Sequence, residues 1–134
     1  MNVLETARSL VRDLSKLTMP NVPSCEYDLH SVVYVYLKSL GYNVKYLGYP
    51  GRRNVVDFII NDRLGLEVKY VERSIDLDKV VGQCIRYRSR FSLDAVVLYF
   101  YSLGKVKINI MDYINVFRNE NIVPVITIHR GLEY

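Results

Sequence analysis

Apolar residues recur every three or four positions in two stretches near the start of the chain, the spacing that puts them on one face of a helix. The first stretch predicts an amphipathic helix over residues 2–17, and the second predicts a helix that Ser24 caps and Gly41 ends. Pro20 and Pro23 lie between the stretches and separate the helices. The two stripes are Val3, Leu4, Ala7, Leu10, Val11, Leu14 and Leu17, and Leu29, Val32, Val33, Tyr36, Leu37 and Leu40.

The middle of the chain alternates between strand and helix patterns. Strands are predicted over residues 44–47, 54–60 and 64–71, followed by a helix over 76–90. The run 95–101 is continuously apolar, which is typical of a strand buried on both faces. This order predicts an α/β fold with a mixed sheet between helices.

The last third of the chain predicts a β/α/β extension with a strand at 106–110, a helix at 113–119 and a strand at 123–128. At 134 residues the chain fits one domain, residues 1–134. We expect a core at about 24–101, with the helix 2–17 before it and the extension 102–134 after it.

The predicted hairpin VVDFIINDRLGLEVKY carries Asp57, Glu67 and Lys69 where strands usually bury apolar side chains. Glu67 and Lys69 share a face because strand side chains alternate. A two-residue loop would set Asp57 opposite Leu66, on the other face. A three-residue loop, 61–63, sets Asp57 opposite Glu67 with Cβ atoms about 5 Å apart, and we predict this register.

Two carboxylates that meet on a half-buried sheet repel each other unless a cation neutralises them. Asp and Glu oxygens suit a hard divalent ion such as Mg²⁺, which binds through one or two carboxylates plus substrate phosphate. Lys69 would stand beside such an ion and assist the attacking water or offset transition-state charge. The alternative is a structural salt bridge between Asp57 and Lys69, with Glu67 facing solvent.

Charge and composition narrow the classes of partner. The chain has a net charge of +4, and all of it lies in residues 45–90, which hold ten basic and six acidic residues. Cys25 and Cys84 form no CxxC pair, and with His30 and His129 as the only histidines a zinc site lacks ligands. No apolar run reaches the length of a membrane span, so we expect no membrane partner and a cytoplasmic, intracellular location.

Asp57, Glu67 and Lys69 on a hairpin resemble the motif of the PD-(D/E)xK nucleases, the restriction-endonuclease-like fold. The predicted order of helix, three strands, helix and strand from Ser24 to Tyr101 is similar to the αβββαβ core of that family. RecB-like nucleases and archaeal Holliday-junction resolvases are small members. Val56 stands where the motif has proline.

The resemblance also implies supporting residues. Glu26 matches an acidic residue on the first core helix, and Gln83 with Tyr87 matches a QxxxY element on the helix after the motif strand. Glu26 has an alternative interpretation as an acid favoured by a helix N-terminus. Tyr87 has an alternative interpretation as an ordinary residue of the packed core.

The catalytic and metal-binding residues that the resemblance implies are Glu26, Asp57, Glu67, Lys69 and Gln83, with Asp57, Glu67 and Glu26 on the metal.

Arg52 and Arg53 precede Asp57 and suit phosphate contacts, because guanidinium groups bind phosphate oxygens bidentately. Lys79, Arg86 and Arg90 form a phosphate-contacting ridge or a solvated helix face. Tyr87 completes the predicted DNA contacts. We interpret the twelve tyrosines as core and surface residues rather than a base-stacking platform.

The resemblance implies a Mg²⁺-dependent deoxyribonuclease in which Mn²⁺ can substitute. Nothing in the sequence indicates base-specific recognition, so we expect structure-selective or accessory cleavage. A second hypothesis is a nucleic-acid-binding module of the same fold that does not cut. A third is an interaction protein that pairs through helix 2–17, and a homodimer through that helix is compatible with the nuclease as well.

Overall fold

The computed structural model describes residues 2–49, 51–104 and 106–129. Its helices are α1 (Val3–Ser15), α2 (Glu26–Ser39), α3 (Leu77–Arg90) and α4 (Ile114–Asn119), with a short 3₁₀ turn, Met111–Tyr113, before α4. Its strands are β1 (Val44–Tyr46), β2 (Phe58–Ile60), β3 (Leu64–Val71), β4 (Ala95–Ser102) and β5 (Ile122–Ile128). The predicted order of helix, three strands, helix and strand is present from α2 to β4.

The five strands form one mixed sheet in the order β1-β2-β3-β4-β5. The first three strands pair antiparallel, and β3, β4 and β5 pair parallel. Helices flank both faces, so the predicted α/β class with a mixed sheet is confirmed. β4 lies inside the sheet and is buried from Val96 to Ser102, as its continuous apolar run predicted.

Two apolar clusters lie on opposite faces of the sheet because strand side chains alternate. On β4, Val97, Tyr99 and Tyr101 join the cluster under α1 and α2, while Val96, Leu98 and Phe100 join the cluster under α3 and α4. On β3, Leu66 and Val68 face α1 and α2. Glu67 and Lys69 therefore lie on the α3 side of the sheet.

The C-terminal strand belongs to the same sheet as the core. β5 pairs with β4 along its whole length, and the Thr127 hydroxyl donates to the Leu14 carbonyl of α1 at 3.0 Å. The predicted N-terminal helix and the end of the predicted extension therefore pack against each other.

Helix ends follow the predicted chemistry with one exception. The Asn2 side chain accepts from the Glu5 amide at 2.8 Å and begins α1. Gly41 has φ +94° after α2, the conformation expected of a helix-ending glycine. Ser24 was the wrong N-cap for α2: Cys25 occupies that position, without a side-chain capping bond.

The hairpin has the predicted three-residue loop. Ile60 pairs with Leu64 and Phe58 pairs with Leu66, which puts Asp57 across from Glu67. Asn61 and Asp62 adopt positive φ angles of 49° and 64°, which these two residue types tolerate better than most. The predicted register is therefore confirmed.

Two predicted strands differ from the structure. β2 begins at Phe58 rather than at residue 54, because the chain leaves the ladder at Asp57. Residues 106–110 form no strand, so the extension is α/β rather than β/α/β. Their alternating residues Val106, Ile108 and Ile110 pack against the α3-side cluster, so the alternation reflects burial of one side of this segment rather than pairing in the sheet.

Across the described ranges, no helix has the length and apolar character that crossing a bilayer requires.

The hairpin loop supplies a first test. Asp62→Val should lower the free energy of unfolding by about 1 to 2 kcal/mol, because a β-branched residue is strained at positive φ. Asp62→Gly should leave stability equal or higher, since glycine adopts positive φ freely. Urea unfolding followed by circular dichroism measures both. Equal stability of the two variants would contradict the left-handed conformation of this loop.

Candidate carboxylate site

Asp57 and Glu67 meet where the β2–β3 ladder ends. Beyond the Phe58–Leu66 pair, the Asp57 amide donates to Glu67 Oε1 at 3.0 Å, and the Val68 amide donates to Asp57 Oδ2 at 2.9 Å. Two side-chain carboxylates thus replace the strand-to-strand hydrogen bonds. The two residues come together as predicted, and Glu67 is only 2% exposed, so the alternative with Glu67 facing solvent is wrong.

Lys69 completes the predicted triplet. Its Nζ lies 3.2 Å from Glu67 Oε2, and its side chain is mostly buried. The ammonium group therefore pairs with Glu67 rather than with Asp57. This ion pair places a positive charge beside the two carboxylates.

Glu26 approaches the same open edge of β3 from the first turn of α2. Its Oε1 accepts a hydrogen bond from the Tyr70 amide at 3.2 Å, and its side chain remains exposed. The amides of Val68 and Tyr70, two positions apart on one edge, are thus both bound by carboxylates. Glu26 lies close to the carboxylate pair, as the resemblance implied.

His30 also belongs to this group, although it was not among the site residues that the sequence predicted. The side chain is buried; Nε2 lies 3.4 Å from Asp57 Oδ2 without hydrogen-bond geometry, and Nδ1 is 3.0 Å from the Tyr46 hydroxyl. A signal was present in the sequence. His30 follows Glu26 by four residues on the predicted helix, and this spacing puts both side chains on one face. We call Glu26, His30, Asp57, Glu67 and Lys69 the carboxylate site.

Burial and charge perturb the acid at the centre of this group. Burial, reinforced by the negative charge of Asp57, raises the pKa of Glu67 to about 8, although the Lys69 ammonium opposes the shift. The raised pKa therefore favours the protonated form of Glu67 when no metal ion is bound. Two adjacent buried carboxylates cannot both ionise without further positive charge.

Burial acts in the opposite direction on the two basic residues of the site, because it lowers their pKa values. Burial lowers the pKa of Lys69, but the carboxylates of Glu67, Glu26 and Asp57 outweigh it, and the net pKa is raised. Burial likewise opposes protonation of His30, yet contact with Asp57 and the charge of Glu26 leave its pKa raised. The carboxylates of the site thus favour the cationic forms of both neighbours.

The inward face of α3 lies near the carboxylates. Burial raises the pKa of the Cys84 thiol, and the charge of Glu67 adds to the shift. Gln83 is half-buried beside Cys84, and among the described residues no hydrogen bond joins its amide to Asp57 or Glu67. Tyr87 is 7% exposed inside the α3-side cluster, so its position favours core packing and argues against a DNA contact.

The predicted phosphate-binding residues are exposed. Arg90 Nη1 donates to the Asn54 carbonyl at 2.9 Å, which joins the end of α3 to the loop that carries Arg52 and Arg53. Arg86 and Arg90 line a cavity of about 590 Å³ between the helix and that loop. Lys79 lies on the first turn of α3 and is also exposed.

Gly48 is packed directly against Asp57. Both its amide and the Leu47 amide donate to the Asp57 carbonyl, at 3.0 and 2.8 Å. A Cβ at position 48 would lie 2.9 Å from Asp57 Cα and would overlap the Asp57 carboxylate. Glycine is therefore needed at this position for the carboxylate to keep its orientation.

The carboxylate site has some of the donor atoms that a divalent ion requires. Across residues 2–49, 51–104 and 106–129, no three His, Cys, Asp or Glu side chains already form a metal centre. The group nevertheless offers donors for an ion: the Asp57 amide bonds to Glu67 Oε1, so the two acids are neighbours, and the buried His30 Nε2 has no hydrogen-bond partner among the described residues. Mg²⁺ needs only one or two protein carboxylates because water and substrate oxygens complete its shell.

Comparison with known proteins found no family model, no curated protein and no solved structure that matches this chain. The resemblance to PD-(D/E)xK nucleases therefore depends on the residues and their geometry.

The contact between Gly48 and Asp57 gives a second test. Gly48→Ala should lower the free energy of unfolding by about 1 to 3 kcal/mol, because the new methyl group overlaps Asp57 and its backbone. Gly82→Ala is the matched control: the nearest atom is the flexible end of Arg86, at 3.4 Å. This control should gain about 0.5 to 1 kcal/mol, since alanine favours helix interiors. Urea unfolding measures both, and an equal response would contradict the close packing at Gly48.

The pKa of Glu67 gives a third test. Between its ordinary value of 4.5 and about 8, the folded state keeps a proton that the unfolded chain releases. Raising the pH through this range should therefore lower the free energy of unfolding. Glu67→Gln should flatten this dependence, whereas Glu5→Gln, on the exposed face of α1, should not. Urea unfolding in EDTA from pH 5 to 8 measures the slopes; parallel slopes for wild type and Glu67→Gln would refute the assignment.

Proposed function

We propose that the protein is a metal-dependent nuclease that hydrolyses DNA phosphodiester bonds at the carboxylate site. The observation that carries this proposal is the buried contact between Asp57 and Glu67, with Lys69 Nζ 3.2 Å from Glu67. The arrangement resembles the PD-(D/E)xK motif, with Asp57 just before β2 and with Glu67 and Lys69 on β3. The repulsion between the two neighbouring acids would be relieved by a bound cation.

Asp57 and Glu67 would hold a Mg²⁺ ion, with Glu26 as an outer ligand. Binding would replace the proton that Glu67 carries, because the ion supplies the positive charge that two ionised carboxylates need. His30 Nε2 is a further donor on the other side of Asp57. A bound ion polarises the phosphate and lowers the pKa of a coordinated water. Mn²⁺ would substitute because it accepts the same ligands.

Lys69 would serve the reacting phosphate through its charge. The carboxylates keep its ammonium protonated, and its pairing with Glu67 fixes its position. A fixed cation stabilises the negative charge that develops on phosphate oxygens in the transition state. Gln83, half-buried on α3, would hold the attacking water or a substrate oxygen.

The basic surface around the site would hold the DNA backbone. Arg52, Arg53, Arg86 and Arg90 lie on the loop before Asp57 and on the α3 end that this loop contacts. Lys79 extends the same face of α3. Such contacts bind phosphates without reading bases, so binding should weaken with salt. We propose structure-selective or accessory cleavage for this reason.

Cleavage assays give a fourth test. With Mg²⁺ or Mn²⁺, wild-type protein should cut at least one of end-labelled linear duplex, single-stranded and four-way-junction DNA, and EDTA should abolish cutting. Asp57→Asn and Lys69→Gln keep side-chain size but remove charge, and each should reduce the rate by about 100-fold or more. Lys16→Gln, distant on the α1 end, is the matched control and should cut at the wild-type rate.

A non-catalytic binding module is the second candidate. It is favoured by one observation: the carboxylates of Asp57 and Glu26 satisfy the Val68 and Tyr70 amides, which is a structural role in itself. This candidate would be preferred if the protein bound DNA without cutting it and if Asp57→Asn and Lys69→Gln bound equally well in EDTA and in Mg²⁺.

A further inference from the structure

Four of the twelve tyrosines gather beside the carboxylate site. Tyr46 contacts Tyr34 and Tyr49 with ring centroids 6.5 and 6.1 Å apart, and its own ring stacks on the buried Phe58 at 4.9 Å. Tyr27 and Tyr34 lie on α2 with Tyr46 around a cavity of about 390 Å³. This volume falls within the ~300 to 1,000 Å³ range of small-ligand pockets. These four tyrosines are spread along the sequence and become neighbours only in the fold.

The pocket offers aromatic surface that is open to a ligand. Tyr27 is 48% exposed in the pocket, and Tyr49, which contacts the pocket residue Tyr46, is 43% exposed. Ser31 and Val35 complete the lining on α2. Tyr27 and Tyr34 are seven residues apart, so they lie on one face of the helix about 10 Å from each other.

Cations lie over this aromatic surface. Lys38 Nζ is 6.0 Å from the Tyr34 ring centroid, and the Arg52 guanidinium is 5.2 Å from that of Tyr49. Arg52 also donates to the Tyr49 hydroxyl at 2.8 Å. An aromatic surface flanked by cations suits a ligand that has both flat rings and negative charge.

The pocket shares a wall with the carboxylate site. His30 lines the pocket, and its Nε2 lies 3.4 Å from Asp57 Oδ2 while its Nδ1 is 3.0 Å from the Tyr46 hydroxyl. One imidazole ring therefore separates the tyrosines from the carboxylate. A nucleotide joined to a phosphate at Asp57 would have its base within reach of the tyrosines.

We propose that this pocket, formed by Tyr27, Tyr34 and Tyr46, stacks unpaired bases next to the phosphate that is cut, so that the substrate is single-stranded at the site. This inference rests on the proposed function and names its substrate class. In a duplex, neighbouring base pairs cover both faces of each base. An unpaired base has free faces that stack on aromatic side chains without regard to its identity. Lys38 and Arg52 contact the phosphates on either side.

Binding measurements test the pocket separately from cleavage. Fluorescence anisotropy in EDTA, which prevents cutting, compares a labelled single-stranded thymidine 20-mer with a hairpin duplex of equal length. Wild type should bind the single strand more tightly. Tyr27→Ala and Tyr34→Ala should each weaken single-strand binding by about 5-fold or more and leave duplex binding within about 2-fold. Tyr27→Phe and Tyr34→Phe keep the ring and should bind as wild type does.

Abasic substitutions in the strand test the stacking. In the wild type, removing the bases along the whole strand should weaken binding by about 5-fold or more, and the same removal should have a smaller further effect in Tyr34→Ala. If base removal and Tyr34→Ala are not additive, the base and the Tyr34 ring interact directly, and a general effect on folding would not produce this result. Circular dichroism of the alanine and phenylalanine variants confirms that they remain folded.

The outcomes separate the two proposals. If the protein cuts DNA while the alanine variants bind single strands as wild type does, the pocket proposal is overturned and the nuclease stands. Equal affinity of wild type for single strands and duplex also overturns it. If the stacking pattern appears but no DNA is cut, the pocket is supported and the catalytic proposal fails.

Discussion

The structure depends on one exchange of hydrogen bonds at the end of a hairpin. Past Phe58 the strands β2 and β3 separate, and the carboxylates of Asp57 and Glu67 bind the backbone amides that the ladder leaves free. A buried amide without an acceptor would destabilise the fold, so the acids have a structural role even without a metal ion. In the proposed function, a phosphate and a cation would meet where the two strands separate.

The acids of the carboxylate site repel one another, and the charged residues of the site come from several elements. β3 contributes Glu67 and Lys69, the loop before β2 contributes Asp57, and α2 contributes Glu26 and His30. Protonation of Glu67 is one solution to the repulsion between the acids, and a divalent ion is another. Stability and the proposed chemistry are therefore linked through the ionisation of Glu67. Glu67 is the most buried acid of the site, and in the proposed function it would lose its proton to bind a metal ion.

The surroundings divide into two surfaces with different chemistry. The loop 52–54 and the end of α3 present arginines, which suits contacts to phosphates. The outer face of α2 presents tyrosines, which suits contacts to base faces. The carboxylate site lies next to both surfaces through Asp57, because the loop leads into that residue and α2 places His30 against it. A chain of nucleotides needs both kinds of contact, and a phosphate alone needs only the first.

The sequence by itself determined the helices, the order of the main strands and the hairpin register, because these follow from local periodicity and turn chemistry. It also identified Asp57, Glu67 and Lys69, since alternation and a three-residue loop suffice to bring them together. Only the tertiary structure decided the rest. β2 is short because Asp57 leaves the ladder, residues 106–110 pack against the α3-side cluster instead of forming a strand, and Tyr87 is buried. His30 and the tyrosine pocket arise from packing between α2 and β1, which are adjacent in space for reasons that no local pattern contains.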